Sequence, residues 1–202
     1  MQMDIYYSYA CRESYLVFAW LKLVEKSGQA FNIHWHPFAI QMDAPSEYWN
    51  QSWRIANSEL RGFIAAEAAR RQGSEAFLAF HDALEQAVHE QFLELGDETT
   101  LIVAAQQAGL NVDRFQADLR DPQLAQTARN SHAQAIERWN VSGTPTLVFP
   151  NGRSFHLELS EVPPVADALE TFRVLETLAL RLPYIRQLKQ TPGTINLPRM
   201  KI

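Results

Sequence analysis

The chain reads as an α/β protein in which a long all-helical block interrupts a small sheet. Three observations predict this. The run IYYSYACRESY at 5–15 passes from a short apolar strand pattern into helical spacing, and FNIHWH at 31–36 alternates apolar and polar residues with the period of a strand. Between residues 58 and 139 there are no strand patterns and few β-branched residues, while Ala, Glu, Gln, Leu and Arg are abundant. Strand patterns then return in TLVF at 146–149 and RSFHL at 153–157, joined by the turn PNG at 150–152.

The elements follow in order. Residues 3–9 form a buried strand. From 12 to 26 the apolar residues Tyr15, Leu16, Phe18, Ala19, Trp20, Leu23 and Val24 recur at helical spacing, and Gly28 is a natural stop. The strand at 31–36 is closed by Pro37, and a β-α-β order with a long connecting helix implies a parallel, right-handed crossover. The Pro- and aromatic-rich stretch 37–53 reads as a loop without regular structure. Breaks at Gly73, Gly96-Asp97, Gly109 to Asn111 and Asp121-Pro122 divide the middle block into helices over about 58–72, 74–93, 98–108, 112–119 and 122–139. Asp121-Pro122 supplies an N-cap with proline at the first helical position, and Glu98 or Thr99 would open the third helix in a similar way. A hairpin over 146–157 precedes a last helix from Pro164 to about Leu182, with an irregular tail after Pro183.

Composition narrows the function classes. The 202 residues are 47% hydrophobic and 20% charged, ample for one core, and the net charge of -5 gives no electrostatic reason to expect nucleic acid or an anionic membrane as partner. No stretch approaches the ~20 apolar residues of a membrane span. The start MQMD carries no signal-like segment, so a cytoplasmic location is expected. With a single cysteine, Cys11, the chain forms no internal disulfide, which agrees with a reducing compartment. The six histidines do not predict a metal site. His34 and His36 share one face of a strand but have no nameable third ligand, and His81 and His89 are eight positions apart on one helix. No glycine-rich phosphate loop, nucleophile elbow or Ser-His-Asp order is present.

Cys11 is the residue that carries chemistry. It falls where a helix begins, facing unpaired backbone N–H groups and the positive end of the helix dipole, a setting that favours a thiolate over a thiol. Arg12 acts in the same sense and Glu13 against it. Ser14, one turn on, is placed either to hydrogen-bond sulfur or simply to satisfy first-turn donors.

The order of these features resembles a known family. Cys11-Arg12-Glu13-Ser14-Tyr15 after the first strand, Trp35-His36-Pro37-Phe38 at the end of the second, and Gly143-Thr144-Pro145-Thr146 before the third are similar to motifs of the DsbA-like family, in its cytoplasmic branch of FrnE-type proteins and 2-hydroxychromene-2-carboxylate isomerases. The resemblance covers about residues 3 to 150. It implies a thioredoxin-like fold with an all-helical DsbA-type insertion: 1–57 with 140–190 as a discontinuous thioredoxin-like domain, 58–139 as the insertion and 191–202 as an extended tail. It also implies that Pro145 is cis and that Thr144 lies beside the thiol and offers its backbone to an extended ligand. Cys11 and Ser14 are expected to be catalytic and Arg12, Thr144 and Pro145 to meet the substrate, with the aromatic residues Trp49 and Trp53 either lining a cleft over Cys11 or serving as core and loop anchors. Ser14 stands where redox-active relatives have a second cysteine, so dithiol cycling is excluded.

Three functions remain open on this reading. One is monothiol exchange at Cys11 with a protein or a low-molecular-weight thiol. Another is glutathione-dependent isomerase or transferase chemistry of the kappa-class type. The last is a redox-inactive binding or scaffold role. No tightly bound cofactor is expected; glutathione or a similar thiol would be a cosubstrate, and relatives often form homodimers.

Overall fold

The computed structural model describes residues 1–41 and 43–185. Four strands form one sheet in the order β2-β1-β3-β4: β1 (Gln2–Tyr7), β2 (Asn32–Pro37), β3 (Thr146–Val148) and β4 (Ser154–His156). β1 is central, parallel to β2 and antiparallel to β3, and β4 closes the other edge antiparallel to β3. This is the thioredoxin-like arrangement that the resemblance implies, with helices inserted between β2 and β3. The tail at 191–202 lies outside the described residues.

Alternation along β1 splits its side chains between two apolar clusters. Met3, Ile5 and Tyr7 enter the main core, whereas Tyr6 joins Phe38, Ala135, Val141 and Val148 on the opposite face. Helix α1 (Arg12–Lys26) lies against α8 (Val165–Arg181), where the Trp20 indole N–H donates to Ala168 O at 3.0 Å and the Trp20 ring meets Phe172. Both helices have the bounds their periodicity predicts to within a residue or two.

The inserted block comprises α3 (Ser58–Arg70), α4 (Ser74–His89), α5 (Glu98–Gln107), α6 (Val112–Asp118) and α7 (Pro122–Trp139). Four of these starts carry a side-chain cap. Asn57, Asp97, Asn111 and Asp121 each accept a backbone N–H from the first turn. Asp121 with Pro122 is the cap the sequence predicts; α5 starts at the expected residue 98, but its cap is Asp97, whose carboxyl accepts from Thr99 N, rather than Glu98 or Thr99.

Three further expectations are corrected. β1 ends at Tyr7, since Ser8 turns out of the ladder to begin the bend into α1. Residues 46–49, expected as loop, form the single-turn helix α2 (Ser46–Trp49), which buries Tyr48 and Trp49. α4 ends at His89 rather than 93. Gln91 N bonds back to Gln86 O at 3.0 Å, five residues earlier, Phe92 takes a left-handed φ of 57°, and Leu93 N turns back to Ala87 O at 2.9 Å, so the helical ladder stops here. Among the described residues no helix is long and apolar enough to cross a membrane.

Candidate active site around Cys11

Cys11 occupies the N-cap position of the 15-residue α1, with extended backbone angles and a side chain not spent on capping. The turn that delivers it is closely tied. Cys11 N donates to Ser8 O (3.1 Å), Ala10 N to Ser8 Oγ (3.2 Å) and Ser8 N to Ser14 Oγ (3.3 Å). Ser8 Oγ in turn donates to Glu59 Oε1 at 2.6 Å. Glu59 is the anchor of the whole corner, for it also accepts from Ile40 N (2.9 Å) and, through its other oxygen, from the Tyr48 hydroxyl (2.7 Å). One buried carboxyl on α3 thus fixes the β1–α1 turn, the loop after β2 and α2 together.

On the other side of the sulfur lies the turn before β3. The Thr144–Pro145 peptide is cis, as the resemblance implies, and Cys11 Sγ is 3.3 Å from Thr144 O. Its second acceptor is Glu13 Oε2 at 3.4 Å. Only 9% of Cys11 is exposed, Thr144 is similarly covered, and the half-buried Glu13 side chain lies against the sulfur.

The remaining predicted residues divide. Ser14 is buried and its hydroxyl accepts from Ser8 N, which makes it a brace of the turn. Arg12 is exposed at the helix start, close enough to His89 for its charge to help lower that imidazole's pKa, after burial as the main cause. Trp49 is buried against Tyr48 and His132, and Trp53 lies between Arg61 and Arg120 with its indole N–H on Glu98. Both indoles therefore find their partners in the helical block and its loops.

Beneath the turn lies a group that the sequence showed only as two histidines eight positions apart, His81 and His89. His89 Nε2 is 2.9 Å from Tyr9 O, two residues before Cys11, while the Tyr15 ring stacks on the His89 imidazole at 4.8 Å and its hydroxyl donates to Glu90. Burial and that contact with Glu90 raise the Tyr15 pKa to about 12. His81 Nδ1 is 2.8 Å from the Tyr9 hydroxyl. Between the two imidazoles, on the same face of α4, sits Glu85, fully buried, 3.4 Å from His89 Nε2 and 4.0 Å from His81 Nε2. Burial raises the Glu85 pKa well above the usual carboxyl range and lowers that of His81 to about 3, so both are neutral in the fold. The spacing of eight that separates His81 from His89 was the available signal, because it brackets position 85 at i±4.

A further trio lies on the sheet itself: Asp4 on β1 stands opposite His34 on β2, next to His36. The third group that the sequence could not name beside the two histidines is thus a carboxyl on the neighbouring strand.

Comparison with known proteins places these features in context. A family model described as thioredoxin matches residues 7–166. Among curated proteins the chain is similar to the ClpXP adapter protein SpxH of Shouchella clausii, 35% identical over 45% of this chain, and to that of Bacillus subtilis, 22% identical over 85% of it. It spans only 30% and 61% of the lengths of those two relatives. Among solved structures it is similar to the cytosolic disulfide reductase DsbM from Pseudomonas aeruginosa with GSH (TM-score 0.60, 14% identity, 88% of this chain and 100% of that one). It is likewise similar to a 2-hydroxychromene-2-carboxylate isomerase (TM-score 0.61, 16% identity, 88% and 96%).

Proposed function

The chain belongs to the thioredoxin family, and from that premise we propose that it performs monothiol exchange at Cys11 in a reducing compartment, with a glutathione-like thiol or a protein thiol as partner. The observation that carries this reading is the sulfur at the N-cap of α1, 3.3 Å from the carbonyl that precedes a cis proline. Helix-terminal N–H groups stabilise negative charge on sulfur. The Cys11 thiolate attacks one sulfur of a disulfide, forms the mixed disulfide and releases the other half as a thiolate. A second thiol then attacks the mixed disulfide, restoring Cys11 and leaving with the captured half as a new disulfide. Glu13 moves aside to admit the partner, and the Thr144 backbone aligns it. The likeness to a reductase solved with GSH supports glutathione as the small thiol.

A second reading is a docking role without turnover. It is favoured by the name of the curated relatives, both ClpXP adapter proteins, and by the low exposure of Cys11. One experiment separates the two. The native chain is incubated with oxidised glutathione and its intact mass measured, beside Cys11→Ser. A single glutathionyl adduct on the native chain, absent from the variant and removed by reduced glutathione, is expected. An unmodified native chain whose thiol reacts only after denaturation would overturn the exchange reading and leave the docking one.

A further inference from the structure

We propose that Asp4, His34 and His36 form a binding site for a divalent transition-metal ion, with Zn2+ as the reference ligand. The argument begins with register. In the parallel β1–β2 pair Asp4 is the partner of His34 and Tyr6 the partner of His36. Because side chains alternate, His34 and His36 project from the same face of β2, and Asp4 and Tyr6 from that face of β1. Sheet pairing alone therefore gathers two imidazoles and a carboxyl onto one patch.

Their atoms converge. Asp4 Oδ1 is 2.8 Å from His36 Nε2 and 3.5 Å from His34 Nδ1, and all three donor atoms lie within 4.8 Å of one another. Metal–ligand bonds of about 2.0–2.1 Å set neighbouring donors about 3.3–3.4 Å apart in a tetrahedral site and about 2.9 Å apart in an octahedral one. The contact to His34 is already close to the tetrahedral spacing; the 2.8 Å contact to His36 has to open by about half an ångström, and the two imidazoles to settle at the same spacing, for an ion to sit among the three.

The frame is prepared for it. β1 is paired on both sides, which fixes the Asp4 backbone, and the His36 ring is held by stacking on Tyr6 at 5.1 Å and 26°. The three side chains are between 32% and 47% exposed, which leaves the approach open to an ion from solvent. Two nitrogens and one oxygen suit Zn2+, Ni2+ and Cu2+; Ca2+ and Mg2+ prefer all-oxygen sets. Three protein ligands leave a coordination position for water. Since β2 is an edge strand, a bound ion would also clamp that edge to the centre of the sheet.

The test is calorimetric titration of ZnCl2 into the full chain and into Cys11→Ala, which removes the only thiol able to compete for the ion. One-to-one binding in both is expected, with loss of binding in a His34→Ala/His36→Ala double variant and at least tenfold weaker binding in Asp4→Asn. The melting temperature should rise with ZnCl2 in the native chain and not in the double variant, whose fold is checked by circular dichroism. The Co2+ complex should show visible ligand-field bands without the intense near-ultraviolet band of thiolate coordination. Absence of stoichiometric binding overturns the proposal, as does binding that survives the double variant unchanged or disappears with Cys11.

Discussion

Replacing Glu85 by Gln should change how stability depends on pH, and the structure fixes both the sign and the slope. In the native chain Glu85 is protonated and His81 neutral, because burial raises the one pKa well above its ordinary 4.5 and lowers the other from 6.5 to about 3. The unfolded chain follows the ordinary values. Below pH 4.5 it holds a proton on each group, one more than the folded pair, so stability falls with acid toward the His81 value of about 3. Between 4.5 and 6.5 unfolding moves the proton from acid to imidazole, and the pair contributes no slope. Above 6.5 the unfolded pair holds none, and stability falls as pH rises. Each pH unit on a full slope is worth about 1.4 kcal/mol.

In Glu85→Gln the acid no longer titrates. The variant should gain on the native chain by about 1.4 kcal/mol for each pH unit above 4.5, for as long as the folded acid stays protonated. Glutamine matches the protonated acid in size and charge, so the substitution isolates the titration of position 85 and its remaining effect is an offset that does not vary with pH. Urea unfolding of both proteins at half-unit steps from pH 4 to 8.5 measures the difference directly and cancels the titration of every other group. A difference that stays constant across this range would refute the reasoning, since Glu85 would then ionise alike in folded and unfolded chains.

Two other substitutions probe the corner that presents Cys11. Glu59→Ala strips the acceptor from Ser8 Oγ, Ile40 N and the Tyr48 hydroxyl at once and should cost about 3 kcal/mol in urea unfolding, with Tyr48→Phe costing about 1 kcal/mol. Gly62→Ala should cost about 1–2 kcal/mol in the same assay through overpacking. The added Cβ would meet the buried Leu95 Cδ1 at 2.9 Å and Tyr9 Cδ2 at 3.2 Å, so both side chains have to give way in a packed core.

Local signals made most of the fold legible. The spacing of Tyr15, Leu16, Trp20 and Val24 sets α1, and Asp121 with Pro122 sets the start of α7, because periodicity and capping act within a few residues. Where the prediction slipped, a tertiary contact took over. α2 forms because Tyr48 and Trp49 have a buried place to go, and Tyr48 also reaches Glu59. At the site, Cys11 and Thr144-Pro145 were readable from their order. The role of Ser14 was not, since its choice between sulfur and the Ser8 amide depends on how the turn closes.

By itself the sequence determined that this chain has one thiol, that it begins a helix, and that no second thiol can close on it. These are facts of composition and local pattern. Only the tertiary structure decided that the sulfur is nearly enclosed by Glu13 and Thr144, that Glu85 sits uncharged between two imidazoles, and that Asp4 completes a trio with His34 and His36. Each of those joins atoms from separate elements, and a linear pattern specifies which face a residue occupies without specifying what another strand or helix lays against it.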